Sequence, residues 1–163
     1  MTPRPARLYG ALIGLTALAV LLQGLWAGIF LEHDGRRDEA SSWIDVHARG
    51  GDLAIALAAA ATVAAFLTLR PRRDLWVGSG VLTGLLLVEA YLGGLIRDQS
   101  RDTLTAVHVP LAMTLMGLVV WLLVRARHVG LAAAGSVSPA AAGGSVSDAL
   151  SLSHQGGQPR QRT

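Results

Sequence analysis

The chain contains no cysteine and no lysine, and aromatic residues make up only 5% of its 163 residues. The missing cysteines exclude disulfides, thiolate metal ligands, a cysteine nucleophile and covalent haem attachment through a C-x-x-C-H motif. The formal charge of +3 therefore comes from arginine alone, and charged residues total 15% against 52% hydrophobic residues. The arginines cluster beside apolar runs. This placement indicates that they orient the chain in a membrane, and it does not favour a role in nucleic-acid binding.

Four long apolar runs cover most of the sequence, at roughly 8–31, 53–69 (extending upstream to about Trp43), 75–96 and 104–124. About 20 apolar helical residues cross a hydrocarbon core, and lipid cannot satisfy free backbone groups, so helices are required. The runs predict an all-α membrane protein whose four transmembrane helices form an up-down bundle. The first run is longer than the apolar part of a signal peptide, so we expect it to stay as an uncleaved helix.

The distribution of arginine predicts the orientation. Short, purely basic segments belong in the cytoplasm, and three such segments flank the runs: Arg4 with Arg7, Arg70 with Arg72 and Arg73, and Arg125 with Arg127. This pattern predicts a multi-pass protein of a bacterial plasma membrane with both termini cytoplasmic. The expected divisions are a cytoplasmic N-terminus at 1–7, a bundle at 8–128 and a disordered, Gly/Ala/Ser-rich cytoplasmic tail at 129–163.

A short internal repeat runs in register with this topology. Residues 22–28 near the end of the first helix match residues 88–94 near the end of the third, and Val46-His47 matches Val107-His108 at the starts of the second and fourth. The bundle is therefore predicted to consist of two similar helix hairpins related by a pseudo-twofold axis along the membrane normal.

The chain has five histidines, of which His33, His128 and His154 fall in a loop, past a helix end and in the tail. His47 and His108 differ because both lie near the outer ends of helices that are diagonal neighbours in an up-down bundle. Two imidazoles facing each other at one depth can bind a haem iron from both sides. The pair predicts a haem b site, although interfacial histidines also form ordinary hydrogen bonds to neighbours or lipid headgroups.

Small and basic residues at the same depth fit this hypothesis. Gly28, Gly93 and Gly94 would leave room for a flat macrocycle, and Arg49, Arg97 and Arg101 would balance the charge of its propionates. The alternative interpretation of the glycines is close helix packing, and that of the arginines is contact with anionic lipid.

Glu89 is the other unusual residue, because a carboxylate within hydrocarbon is costly unless it is neutral or paired. It lies opposite Gln23 in the repeat. Two interpretations stay open: a proton-linked or haem-tuning group, and an acid that is hydrogen-bonded to Gln23 between helices.

These residues resemble the haem A synthase family, whose members contain two similar four-helix halves. Each half has one histidine on its second helix and one on its fourth, near the outer face, and His47 and His108 take those positions. Residues 89–94, E-A-Y-L-G-G, are similar to the family's Q-x-x-L-G-G stretch on the third helix. The resemblance spans roughly residues 8–127 and implies the four-helix scaffold and a bis-histidine haem b site.

The chain departs from the family at positions tied to catalysis. Only one half is present, Ile44 stands where the family has an acidic residue, and Ala48 stands where it has an arginine. Three hypotheses follow: a small haem-b protein for electron transfer or haem handling, with a homodimeric or respiratory membrane partner; a haem-modifying enzyme that works as a homodimer; and a structural subunit without a cofactor. The chain has no P-loop, Rossmann fingerprint or H-E-x-x-H motif.

Overall fold

Four long helices make up the structure, a computed structural model that describes residues 3–33 and 36–135. They are α1 (Pro3–Leu31), α2 (Arg37–Thr68), α3 (Arg73–Gln99) and α4 (Thr105–Gly135), and one 3₁₀ turn (Asp102–Leu104) precedes α4. No strand occurs in the described ranges, and each of the four helices is long and apolar enough to cross a membrane. The predicted all-α, four-helix membrane architecture is confirmed.

The helices extend beyond the apolar runs at several ends. α1 begins at Pro3, inside the segment predicted as a separate N-terminus, and proline is well suited to a first helical turn. α4 continues to Gly135, so residues 129–135 of the predicted tail are helical. Val129 explains the continuation, because it is 7% exposed and packs on the hydrophobic core. The predicted tail from residue 136 to residue 163 lies outside the described residues.

The helices form a ring in which α1 and α3 each pack against both α2 and α4. α2 and α4 are therefore diagonal to each other, as predicted, and so are α1 and α3. We call the end of the bundle where α1 and α3 finish and α2 and α4 start the histidine end. The opposite end, where α1 and α3 start, is called the terminal end.

Small residues close the core. α2 turns Ala54, Ala58, Ala61 and Ala65 inward, all with no exposed surface, and their spacing places them on one helix face. Leucines are instead spread along the outside of α1, with Leu8, Leu15, Leu18, Leu21 and Leu25 each more than half exposed. A surface as apolar as the core fits lipid, where close packing of small residues holds helices together.

The polar groups near the terminal end are paired. Tyr9 and Ser79 share a buried hydrogen bond of 2.9 Å between their hydroxyls, which crosses from α1 to α3. Asp74, in the first turn of α3, accepts from Arg72 at 3.1 and 3.2 Å and from Arg125 of α4 at 3.1 Å. Asp74 also complements the positive N-terminal end of its helix. These bonds link α3 to α1 and to α4 near the terminal end.

Candidate functional site

The rings of His47 and His108 meet inside the histidine end of the bundle. Their centroids are 6.5 Å apart and their planes are inclined at 64°. His47 lies about 15 Å along α2 from its first residue, whereas His108 is in the first turn of α4. α2 therefore extends past the ring pair by almost three turns. Both histidines are half-buried, and the predicted facing pair on diagonal helices is present.

His47 is held from α1 by Gln23. Its Nδ1 lies 3.2 Å from the main-chain carbonyl oxygen of Gln23, which accepts when Nδ1 carries the proton. In the amide orientation that satisfies both of its ends, the Gln23 side chain donates to the carbonyl oxygen of His47 at 2.7 Å and accepts from the Gly51 amide at 3.3 Å. Its nitrogen also lies 3.1 Å from Nδ1 of His47, to which it donates when that nitrogen carries no proton. Gln23 thus fixes both the ring and the main chain of α2 at this depth.

Gly50 is a buried residue of α2 that makes room for two side chains of α1. A Cβ atom at this position would overlap the ring of Trp26 and the side-chain amide of Gln23. Only glycine lets the two helices come this close while keeping these side chains in place. The sequence analysis did not select Gly50, Trp26 or Gln23 for the site. The Gly50-Gly51 pair, one turn after His47 in a long helix, was the available signal.

His108 is held from α3 by Glu89. The His108 Nδ1 is in contact with Glu89 Oε2, and Glu89 is 6% exposed. The contact is close but not aligned: among the described residues, neither carboxylate oxygen makes a hydrogen bond of regular geometry. Oε2 and Nδ1 are nevertheless in contact, so Glu89 is the direct neighbour of the His108 ring across the boundary between α3 and α4. Glu89 was predicted to be unusual but was not assigned to the site.

Glu89 is therefore not hydrogen-bonded to Gln23, which was one of its two predicted roles. The two residues occupy matching positions in the repeat, but α1 and α3 are diagonal to each other. Each residue turns instead to the histidine of its own hairpin, Gln23 to His47 and Glu89 to His108. The repeat found in the sequence thus corresponds to a repeated contact in the structure.

The predicted glycines play unequal parts. A Cβ atom on Gly93 would lie 3.5 Å from Cε1 of His108, so this glycine lies beside the imidazole and leaves space next to it. Gly94 is half-buried, and a Cβ atom there would meet nothing within 4 Å. Gly28 is exposed with open space around it, so the prediction that it makes room inside the bundle is wrong. α1 turns Gln23 and Trp26, rather than Gly28, toward the site.

The predicted arginines lie on the surface of the histidine end. Arg49 and Arg101 are exposed. Arg97 is also exposed and bonds to its neighbour Asp98 at 2.7 Å, so its charge is already partly balanced. Among the described residues, no group of three or more His, Cys, Asp or Glu side chains could hold a metal ion by itself. A metal at this site would have to bring ligands of its own, as haem does.

Comparison of the chain with protein families, curated proteins and solved structures finds no match.

Proposed function

We propose that the protein is a membrane haem-b-binding protein in which His47 and His108 are the axial ligands, as the resemblance to one half of haem A synthase implies. The proposal rests chiefly on one observation, the 6.5 Å separation of the two imidazole centroids on diagonal helices. Two metal–nitrogen bonds of about 2 Å on opposite sides of one ion, added to the half-widths of two imidazoles, require a separation of about 6 Å. The spacing therefore suits ligation of a single iron.

The hydrogen-bonding partners of the two imidazole rings also suit haem ligation. Metal-binding histidines usually direct one ring nitrogen to a carboxylate or a backbone carbonyl, which fixes the tautomer and the ring orientation. Nδ1 of His47 faces the Gln23 carbonyl, and Nδ1 of His108 faces the Glu89 carboxylate. When each Nδ1 carries the proton, Nε2 is the nitrogen left for ligation in both rings. Gly93 contributes by keeping bulk away from the His108 ring.

Bound haem supplies one-electron chemistry or is itself the cargo of a haem-handling protein. The chain's own contribution is to hold two imidazoles, to keep bulk water away with an apolar bundle, and to present Arg49 and Arg101 at the histidine end for carboxylates of the ligand. Haem modification has no such support. Ile44 replaces the acidic residue that the resemblance ties to catalysis, and the neighbouring Asp45 is exposed.

The histidine end is proposed to face away from the cytoplasm of a bacterium, with both termini inside, because the basic segments belong to the terminal end. A reporter fused after Arg127 is expected to behave as cytoplasmic, and one inserted near Asp38 as external. The reverse result at either position would place the site at the cytoplasmic face. The partner that exchanges electrons or haem at this end would be a second copy of the chain or a respiratory membrane protein.

The absorption spectrum of the purified protein in detergent tests the proposal. Protein produced with ample haem is expected to show a sharp Soret band, and on reduction a distinct α band, because two imidazoles impose a strong field on iron. Folding is checked in parallel by circular dichroism and size-exclusion chromatography. A helical, monodisperse protein that binds no haem when reconstituted with an excess would leave the two histidines as packing residues.

A further inference from the structure

Glu89 is buried at a depth where its presence needs a reason. It lies about 15 Å from the last residue of α3 and is only 6% exposed. A carboxyl group in such surroundings is expensive and is retained where it has a defined partner. The group that it touches is Nδ1 of His108, on the neighbouring helix. Its position in the repeat is filled by an uncharged residue, Gln23, in the other hairpin.

We infer that Glu89 is the positioning residue of His108, which it holds with Nδ1 protonated and Nε2 directed into the bundle, and that it makes His108 the more electron-rich of the two proposed haem ligands. The inference deepens the proposed function and rests on it. It assigns to Glu89 a task that the resemblance to haem A synthase does not imply, because the related stretch carries an uncharged glutamine at this position.

The difference between the two histidines follows from the chemistry of their partners. A hydrogen bond to a carboxylate draws the Nδ1 proton away from the ring more strongly than one to a neutral carbonyl, so it raises the basicity of the ligand. His108 faces a carboxylate, whereas His47 faces the main-chain carbonyl of Gln23. A more basic ligand stabilises the oxidised iron. The pair should therefore give a lower midpoint potential than two carbonyl-bonded histidines would.

The ring of His108 meets α3 at two adjacent atoms that have different surroundings. Glu89 contacts Nδ1, whereas Gly93 leaves space at Cε1, where an added Cβ atom would lie 3.5 Å away. Because Glu89 and Gly93 are one turn apart on α3, both lie on the face that meets α4. The imidazole of His108 thus lies against this face of α3, and its polar neighbour there is Glu89.

The test compares the full-length wild type with Glu89→Gln and Glu89→Ala. Glu89→Gln keeps an acceptor of the same shape but removes the charge, so low-spin haem should be retained at a higher midpoint potential. Glu89→Ala also removes the acceptor, and haem affinity should fall about 10- to 100-fold, as for other residues that support metal ligands. The matched control is Glu39→Gln, which makes the same change at an exposed carboxylate outside the site and should leave the potential unchanged.

A second measurement needs no haem. Nitrogen NMR of histidine-labelled apoprotein should show His108 as the Nδ1-protonated form in the wild type, and loss of that preference in Glu89→Ala, with the signal of His47 unchanged. A haem-bound wild type whose potential and haem affinity are the same in both Glu89 variants would overturn the inference and leave the proposed function standing. A wild type that never binds haem would overturn the proposed function, and the apoprotein spectra would then decide alone whether Glu89 orients His108.

Discussion

The two hairpins, α1–α2 and α3–α4, share a topology and a repeated contact, but they hold their histidines by different means. In the first, His47 faces the neutral Gln23, and Gly50 lets the helices approach until Trp26 and Gln23 fill the gap. In the second, His108 faces the buried carboxylate of Glu89, and the glycine beside it, Gly93, is in ordinary contact distance. One hairpin relies on close packing and the other on a contact with a buried acidic side chain.

The difference shows how two similar halves can serve different purposes within one site. Both hairpins have a histidine at the same depth, so the feature that the two halves share is an imidazole. What differs is the residue that supports each imidazole, Gln23 or Glu89. Close packing fixes a position without altering the ring, whereas a carboxylate also changes its electron density. We therefore expect stability to depend most on Gly50 in the first hairpin and on the contact between Glu89 and His108 in the second.

The largest effect is expected from removing either imidazole. His47→Ala and His108→Ala should each abolish the low-spin spectrum or convert it to a weak high-spin one, because one iron position is left open. His33→Ala and His128→Ala are the controls and should leave the spectrum unchanged. A wild-type spectrum in His47→Ala or His108→Ala would show that the ligand is elsewhere.

The same two variants should differ in stability. His108→Ala leaves the Glu89 carboxylate buried without its partner, which costs about 1–3 kcal/mol. His47→Ala leaves only a helical carbonyl, which keeps its place in the backbone of α1, so its cost should be smaller. Unfolding of the apoproteins in mixed detergent micelles measures the difference. Equal losses would mean that the contact between Glu89 and His108 does not distinguish the hairpins.

The third prediction concerns close packing. Gly50→Ala should destabilise the fold by about 1–3 kcal/mol, because the added methyl group overlaps Trp26 and Gln23 and forces them to move. Gly93→Ala should cost less, since its Cβ atom would only touch His108. Gly28→Ala, at an exposed position in open space, is the control and should be neutral or slightly stabilising. The ranking is read from the same unfolding curves and fails if Gly28→Ala is as harmful as Gly50→Ala.

The smallest effect is expected from the ion pair at the terminal end of the second hairpin. Asp74 and Arg125 are 2.8 Å apart, but 24% and 44% of their side-chain surfaces are exposed. Solvent screening limits such a pair to about 0–1 kcal/mol. Asp74→Asn should therefore lower stability slightly, and less at high salt. A loss as large as that of Gly50→Ala would show that charge holds both ends of this hairpin.

The fold was predictable because hydropathy, helix length and arginine placement all act locally along the sequence. The histidine pair was predictable as well, since an up-down bundle makes α2 and α4 diagonal. The rotation of each helix about its axis was not, because apolar residues surround all four helices and no polar stripe indicates the inner face. For that reason Gly28 was placed inside and Gly50 was missed, and the partner of Glu89 was left between two interpretations.

The tightly packed terminal half of the bundle has an electrical consequence. Along α3, about 22 Å separate Asp74 from Glu89, and the fully buried side chains between them include Leu75, Ser79 and Leu82. A membrane potential acts mainly across such a layer of low polarisability, at about 2.3 kcal/mol per charge and 100 mV. The histidines lie on the far side of this layer from the chain termini. Under the proposed function, an electron that reaches a haem between the histidines from their own side would cross little of the voltage. Its transfer should therefore be nearly independent of the membrane potential.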